Sequence, residues 1–165
     1  MAIKDALIGE LKYESSLTKK MLERVSFDKK EWKPHEKSMT LGRLATHVAE
    51  IPHWISRVIN MDEFDFLVQG FSSHTAGSQE ELIKIFTEKL NKALTDLESM
   101  DDESFDKIWT VRRGKQVFSQ IKKRVAVRSW GFNHFIHHRG QLSVYLRLLD
   151  VPVPGMYGPS ADEKM

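Results

Sequence analysis

The stretch WGFNHFIHHRGQLSVYLRLL, residues 130–149, constrains the fold most. At about 100° per residue, Val127, Gly131, His134, His138, Gln141, Tyr145 and Leu149 recur at steps of four and three and line one side of a helix. Two histidines therefore stand midway along a core-facing seam. One turn apart, their Cβ atoms are about 5–6 Å from each other, a spacing from which two imidazoles converge on one ion. His137 points about 80° or more away from that seam and reads as a rim residue. A second stripe, Val125, Phe132, Phe135, Ile136, Leu142 and Leu146, makes the helix apolar over most of its circumference. Such a helix is enclosed, either by other helices or by a partner subunit. Gly131 and Gly140 would each cost about 1 kcal/mol in an exposed helix, which predicts close backbone approach at both.

A histidine on an apolar helix face is more often a hydrogen-bonded core residue than a ligand, so a metal site here needs a third donor. The candidate is His47. Thr40 is placed as the N-cap of a helix over Leu41 to about Asn60, whose seam is Leu41, Leu44, Val48, Ile51, Ile55 and Val58. His47 lies about 70° from the seam's mean direction, at its border, while His53 lies on nearly the opposite face. Glu50, three residues after His47, reads as solvated. Pro52 lacks an amide donor, so the helix is expected to kink or break there.

The remaining pattern is helical with one exception. Ile3, Leu7, Leu11, Leu17, Met21, Leu22 and Val25 mark a first amphipathic helix, followed by a loop through Trp32, Pro34 and His35 in which Trp32 reads as a lid over one end of a bundle. Residues 61–77 show no period; their Phe64, Phe66, Leu67 and Phe71 are expected to pack over a bundle end or form a pocket wall, with His74 at the surface. Ser78-Gln79-Glu80-Glu81 is a capping box opening a third helix with Leu82, Ile85, Phe86, Leu90, Ala93, Leu94 and Leu97 inward. Residues 107–118 have short apolar runs around Arg113-Gly114, an extended segment or small hairpin. Ser119 is then placed as the cap of the fourth helix, which runs to about Leu149. The Pro- and Gly-rich tail from Val151 carries Tyr157, positioned to dock back on the bundle.

These elements predict an all-α four-helix bundle forming one domain over residues 1–165, with a short extended segment before the last helix. The chain has no cysteine, so any metal must be held by nitrogen and oxygen donors. Its start, MAIKDALIGELKYE, is unlike a signal peptide, and no run approaches the ~18 apolar residues of a membrane span, so the expected location is the cytoplasm, with no membrane partner. From Ile108 to Leu149 there is no Asp or Glu, whereas residues 78–106 hold nine acids. Mutual neutralisation of neighbouring elements is the first reading of this asymmetry and recruitment of an anionic small molecule the second. Nucleic-acid binding comes a distant third. Arg139, or another base of the acid-free segment, is the candidate for attracting an anionic cosubstrate.

A zinc-protease helix spaces two histidines by four but needs Glu directly after the first, where this chain has Phe135. Carboxylate-bridged di-iron chemistry fails because the fourth helix has no acid to project inward. The run His134-Phe135-Ile136-His137-His138-Arg139-Gly140-Gln141-Leu142 resembles the HxxxHRGQL motif of the DinB family of DinB/YfiT-like metalloenzymes. Residues 39–47, MTLGRLATH, resemble the family's first-histidine region, and residues 157–163, YGPSADE, a common family ending. The resemblance implies a bundle of unusual helix order, a divalent metal such as zinc or nickel on His47, His134 and His138, and homodimers. It implies either a transferase of a low-molecular-weight thiol (bacillithiol, mycothiol or glutathione) to a small-molecule substrate, or a hydrolase. A non-catalytic metal- or small-ligand-binding module of stress response or detoxification is the alternative.

Overall fold

The computed structural model describes residues 2–70 and 74–163; Phe71, one of the aromatics expected over a bundle end, lies outside them. Helix α1 is Ile3–Leu22. Helix α2, Leu41–Glu50, starts as the sequence predicts, with Thr40 Oγ1 accepting from the Arg43 amide at 3.2 Å. The break expected at Pro52 is observed: Ile51 closes α2, and Pro52 opens α3, Pro52–Asn60. Proline fits a first helical turn because its missing N–H has no partner to lose there. Helix α4, Gln79–Glu98, is capped by Ser78, whose Oγ accepts from Glu81 N at 3.2 Å. The last helix, α5, runs in three pieces: an α turn at Lys123–Ala126, π winding over Val127–Asn133, and α geometry over His134–Leu148. Helix α4 packs against α1, α2 and α3, while α5 lies on α3 through its π segment and on α2 and α1 through its last part. Among the described residues, no helix is long and apolar enough to cross a membrane.

The all-α expectation is corrected by a three-stranded sheet in the order β1-β2-β3. Strand β1, Glu63–Asp65, pairs in parallel with β2, Ile108–Arg113, placing Phe64 beside Val111. Three residues carry too little alternation to show in the sequence, yet Phe64 and Val111 are both fully buried, and that burial holds the pair. Strand β3, Gln116–Lys122, is antiparallel to β2 around Gly114, which sits at φ 58°, a conformation glycine adopts without a Cβ penalty. The hairpin expected over 107–118 therefore exists and is longer. Ser119 does not cap a helix; it pairs with Val111 inside the sheet, and α5 begins only at Lys123. Val117, Phe118 and Ile121 suit strand as well as helix, and the ladder to β2 decides between them.

The interior divides into two clusters. One, toward the sheet, holds Trp54, Phe64, Phe105, Trp109 and Phe132; the other, toward the far end of α5, holds Leu22, Leu44, Phe86, Phe135 and Leu146. The seam between them crosses α5 at His134, between Phe132 and Phe135. Gly131 makes the close approach expected of it: a Cβ there would meet Ile55 Cγ1 at 2.6 Å. Gly140 does not, since nothing lies within 4 Å of its Cβ position. Because Ile55 is β-branched and stiff at χ1, Gly131→Ala is expected to cost about 1–2 kcal/mol, overpacking outweighing the gain in helix propensity. Urea denaturation measures it, and a variant as stable as the parent would show that Ile55 yields.

Candidate metal centre

Helix α2 presents His47 to α5, and α5 presents His134 and His138 one turn apart. Each offers a ring nitrogen, and the three atoms lie within 4.8 Å of one another. His47 Nε2 and His134 Nε2 are 3.2 Å apart. Two nitrogens bound to one ion at 2.0–2.1 Å with a tetrahedral angle stand about 3.3 Å apart, so the spacing is that of ligands sharing a centre. His134 Nδ1 is 3.2 Å from the Trp130 carbonyl and His138 Nδ1 is 2.7 Å from the Gln141 amide oxygen. Both partners can only accept, which puts the proton on Nδ1 and leaves the Nε2 lone pair free, the arrangement that orients metal-binding histidines. The Trp130 carbonyl lies in the π segment, where the i→i+5 ladder runs out of step with the α turns on either side; such segments recur at functional sites.

Charge favours the same form. Burial, then His138 and His134, then Arg43 push the pKa of His47 down to about 3. Burial first, then His138, lowers His134 to about 4, and burial lowers His138. All three are neutral near pH 7, as ligands must be. In unfolded chain a histidine titrates near 6.5, so between that pH and the folded values the unfolded state binds more protons and stability falls on acidification. The metal-free protein is therefore expected to lose stability as pH drops from about 6.5 toward 4. Urea midpoints measured in chelator across that window should fall less steeply for His47→Gln; identical slopes would contradict the burial of that imidazole.

The other histidines separate as follows. His35 is exposed, its Nδ1 accepting from Lys37 N at 3.1 Å, and His74 is exposed with Nε2 2.8 Å from Glu81. His137 is exposed beside His138. Glu50 is not solvated: it takes the Arg43 guanidinium at 2.9 Å and neither partner is more than a quarter exposed. Arg139 does not face a cosubstrate, because it is 2% exposed and bound to Glu14 at 2.7 Å. The basic segment is largely neutralised within the fold, Arg112 by Glu63 and Asp65, Lys122 and Arg124 by Asp106, Lys123 by Asp62 and Arg128 by Glu10. Most of these acids lie outside residues 78–106, so the balance is struck across the fold and not between two consecutive segments.

A cavity of about 220 Å³ opens beside His47, walled by Arg43, Glu50, His53, Trp54, Arg57 and Lys89. Arg43, His47, Glu50, Trp54 and Arg57 follow steps of four, three, four and three, a polar stripe bordering the apolar seam of α2 and α3.

A helical bundle that brings three neutral imidazoles from two facing helices to one point defines a protein able to hold a metal ion. The DinB family model matches residues 4–164, and the chain belongs to that family. It is 27% identical to the uncharacterized protein YjoA of Bacillus subtilis strain 168 over 156 residues, covering 89% of this chain and 91% of that protein. It is 24% identical to the uncharacterized protein YrdA of the same strain over 163 residues, covering 96% and 90%. Its fold matches the crystal structure of a DinB-like protein from Bacillus cereus ATCC 10987 with a TM-score of 0.73 and 21% identity, covering 93% of this chain and 97% of that one. The crystal structure of YjoA matches with a TM-score of 0.70 and 22% identity, covering 92% and 97%.

Proposed function

We propose that this chain is a metal-dependent enzyme in which His47, His134 and His138 bind one divalent ion, zinc or nickel, to transfer a low-molecular-weight thiol to an electrophilic small molecule. Hydrolysis is the second reaction the same centre supports. The observation that carries the reading is the convergence of His47 and His134 at 3.2 Å with the second nitrogen of His134 and of His138 already committed to an acceptor. An all-imidazole donor set suits borderline ions such as zinc and nickel. Held by three neutral ligands, a divalent ion keeps its full charge and acts as a Lewis acid that lowers the pKa of a water or thiol brought to it. The chain's own contribution is orientation: the Trp130 carbonyl and the Gln141 amide fix two rings, and packing of α2 on α5 delivers the third.

The test is turnover of a chlorinated electrophile by zinc- or nickel-loaded protein with a panel of low-molecular-weight thiols, and of ester substrates without thiol. Thiol-dependent turnover that His134→Ala abolishes is the expected result. Metal retention with no turnover in any arm would assign the centre to a non-catalytic binding module instead.

A further inference from the structure

The cavity beside His47 is lined by more cationic than anionic side chains. Arg43, Arg57 and Lys89 face it against one carboxylate, Glu50, and Glu50 is already taken by Arg43 at 2.9 Å. Among the described residues, no carboxylate lies within ion-pair distance of Arg57 or Lys89, although both are half-buried. The Arg57 guanidinium instead lies over the rings of Trp54 and Phe64, at 4.5 and 4.7 Å from their centroids. An aromatic shelf of this kind holds a guanidinium in place without using its hydrogen-bond donors. His53 stands on the same wall, and its buried Nδ1 has no hydrogen-bond partner among the described residues. Burial, then Arg57, Lys89 and Lys92, against the opposing carboxylate of Asp96, hold the His53 pKa down at about 4, so these cations act on the same imidazole and it is neutral near pH 7.

Three cations against one carboxylate, Glu50, which pairs with Arg43 and also acts on Arg57, together with an unused imidazole nitrogen, leave an excess of positive charge around one enclosed space that an anion would offset. We propose that this cavity is the substrate-anchoring subsite of the centre, taking the carboxylate of a small organic acid on Arg57 and Lys89 while the remainder of the molecule extends toward His47. The planar fork of Arg57 suits a carboxylate. The volume, about 220 Å³, lies below the ~300–1,000 Å³ of pockets for drug-sized ligands, so the occupant is a metabolite-sized acid. Trp54 supplies an apolar wall for its carbon chain. His47 belongs to both the cavity wall and the imidazole cluster, which puts the anchored acid next to the reactive position. The subsite rests on the proposed metal centre for its role, but not for its ability to bind.

Calorimetric titration with succinate and with its uncharged analogue succinamide, on metal-loaded and on chelator-treated full chain, tests this. Succinate is expected to saturate one site per chain in both preparations, with succinamide weaker by about tenfold or more. Arg57→Gln should weaken succinate by about tenfold or more and Arg57→Lys by less, with metal content unchanged. Lys89→Gln, on the cavity rim and outside the core, should weaken it severalfold and serves if Arg57→Gln fails to fold. Equal binding of succinate and succinamide, or undiminished binding in both Arg57→Gln and Lys89→Gln, overturns the subsite. Binding that disappears in chelator also overturns it, since the acid would then be a metal ligand. Loss of the metal reading shows up separately, as His138→Ala protein that keeps its metal whatever succinate does.

Discussion

His138→Ala protein, purified without an affinity tag and assayed by elemental analysis, is expected to come off the column with little divalent metal where the parent carries close to one ion per chain. The size of the effect follows from what the substitution removes. Partners in the outer sphere of a metal typically contribute 10–100-fold in affinity, and an inner ligand contributes more, so a loss of more than about 100-fold is expected. Gln141→Ala removes only the acceptor that orients His138, at 2.7 Å from Nδ1, and belongs in the 10–100-fold range. His137→Ala, which changes an exposed ring outside the cluster, should leave metal content alone. This graded series separates a ligand set from a cluster of histidines that merely adjoin one another. Equal metal in parent and His138→Ala would remove that residue from the centre and leave His47 and His134 as a pair too small to hold an ion tightly.

The parts of this site that the sequence reveals are those governed by local periodicity. His134 and His138 share a face because four residues make about one helical turn, and the same rule puts His47 at the border of its helix's apolar seam. His47 is half-buried, as a border implies, while His134 and His138 are also half-buried and Gln141 is exposed, so their seam is less enclosed than the core-facing one expected. Local chemistry likewise announced the caps at Thr40 and Ser78 and the break at Pro52. What stayed hidden depends on partners far along the chain. Strand β1 exists only because Ile108–Arg113 lies alongside it, and no pattern within Glu63–Asp65 can say so. The helix expected from Ser119 gave way to a strand for the same reason, its neighbours pairing with β2. The helical wheel set His53 on nearly the opposite face from the apolar seam, yet it is half-buried like His47 and lines the same cavity, because α4 brings Lys89 across to close that space. The family motif marked residue 139 without telling its job, because its partner sits 125 positions away.

That partner makes Arg139→Met the second substitution with a large expected effect. The guanidinium is 2% exposed and Glu14 6%, so the ion pair is out of water. Arg139 Nη1 donates to the Glu14 carbonyl at 3.0 Å and to Thr18 Oγ1 at 3.1 Å, while Nη2 reaches the Glu14 carboxylate at 2.7 Å and the Tyr157 hydroxyl at 2.6 Å. The Tyr157 hydroxyl in turn lies 2.9 and 2.8 Å from the two Glu14 carboxylate oxygens and donates its proton there. One guanidinium thereby joins α1, α5 and the tail. Methionine at 139 keeps most of the volume but leaves a buried carboxylate without its cation, a defect that costs about 3–5 kcal/mol. In a chain of this length that lowers the melting temperature by roughly 6–20 °C. The companion variant Arg139→Met with Glu14→Leu removes both charges and should regain most of the loss, because an apolar replacement of a buried pair is often neutral or better. Metal bound per folded molecule should stay near the parent value in both, since His138 faces α2 while Arg139 faces α1. A single variant less than about 1 kcal/mol below the parent would mean that the pair is weakly coupled to folding, and that the tail and α5 are held by the apolar cluster around Phe135 and Leu146 alone.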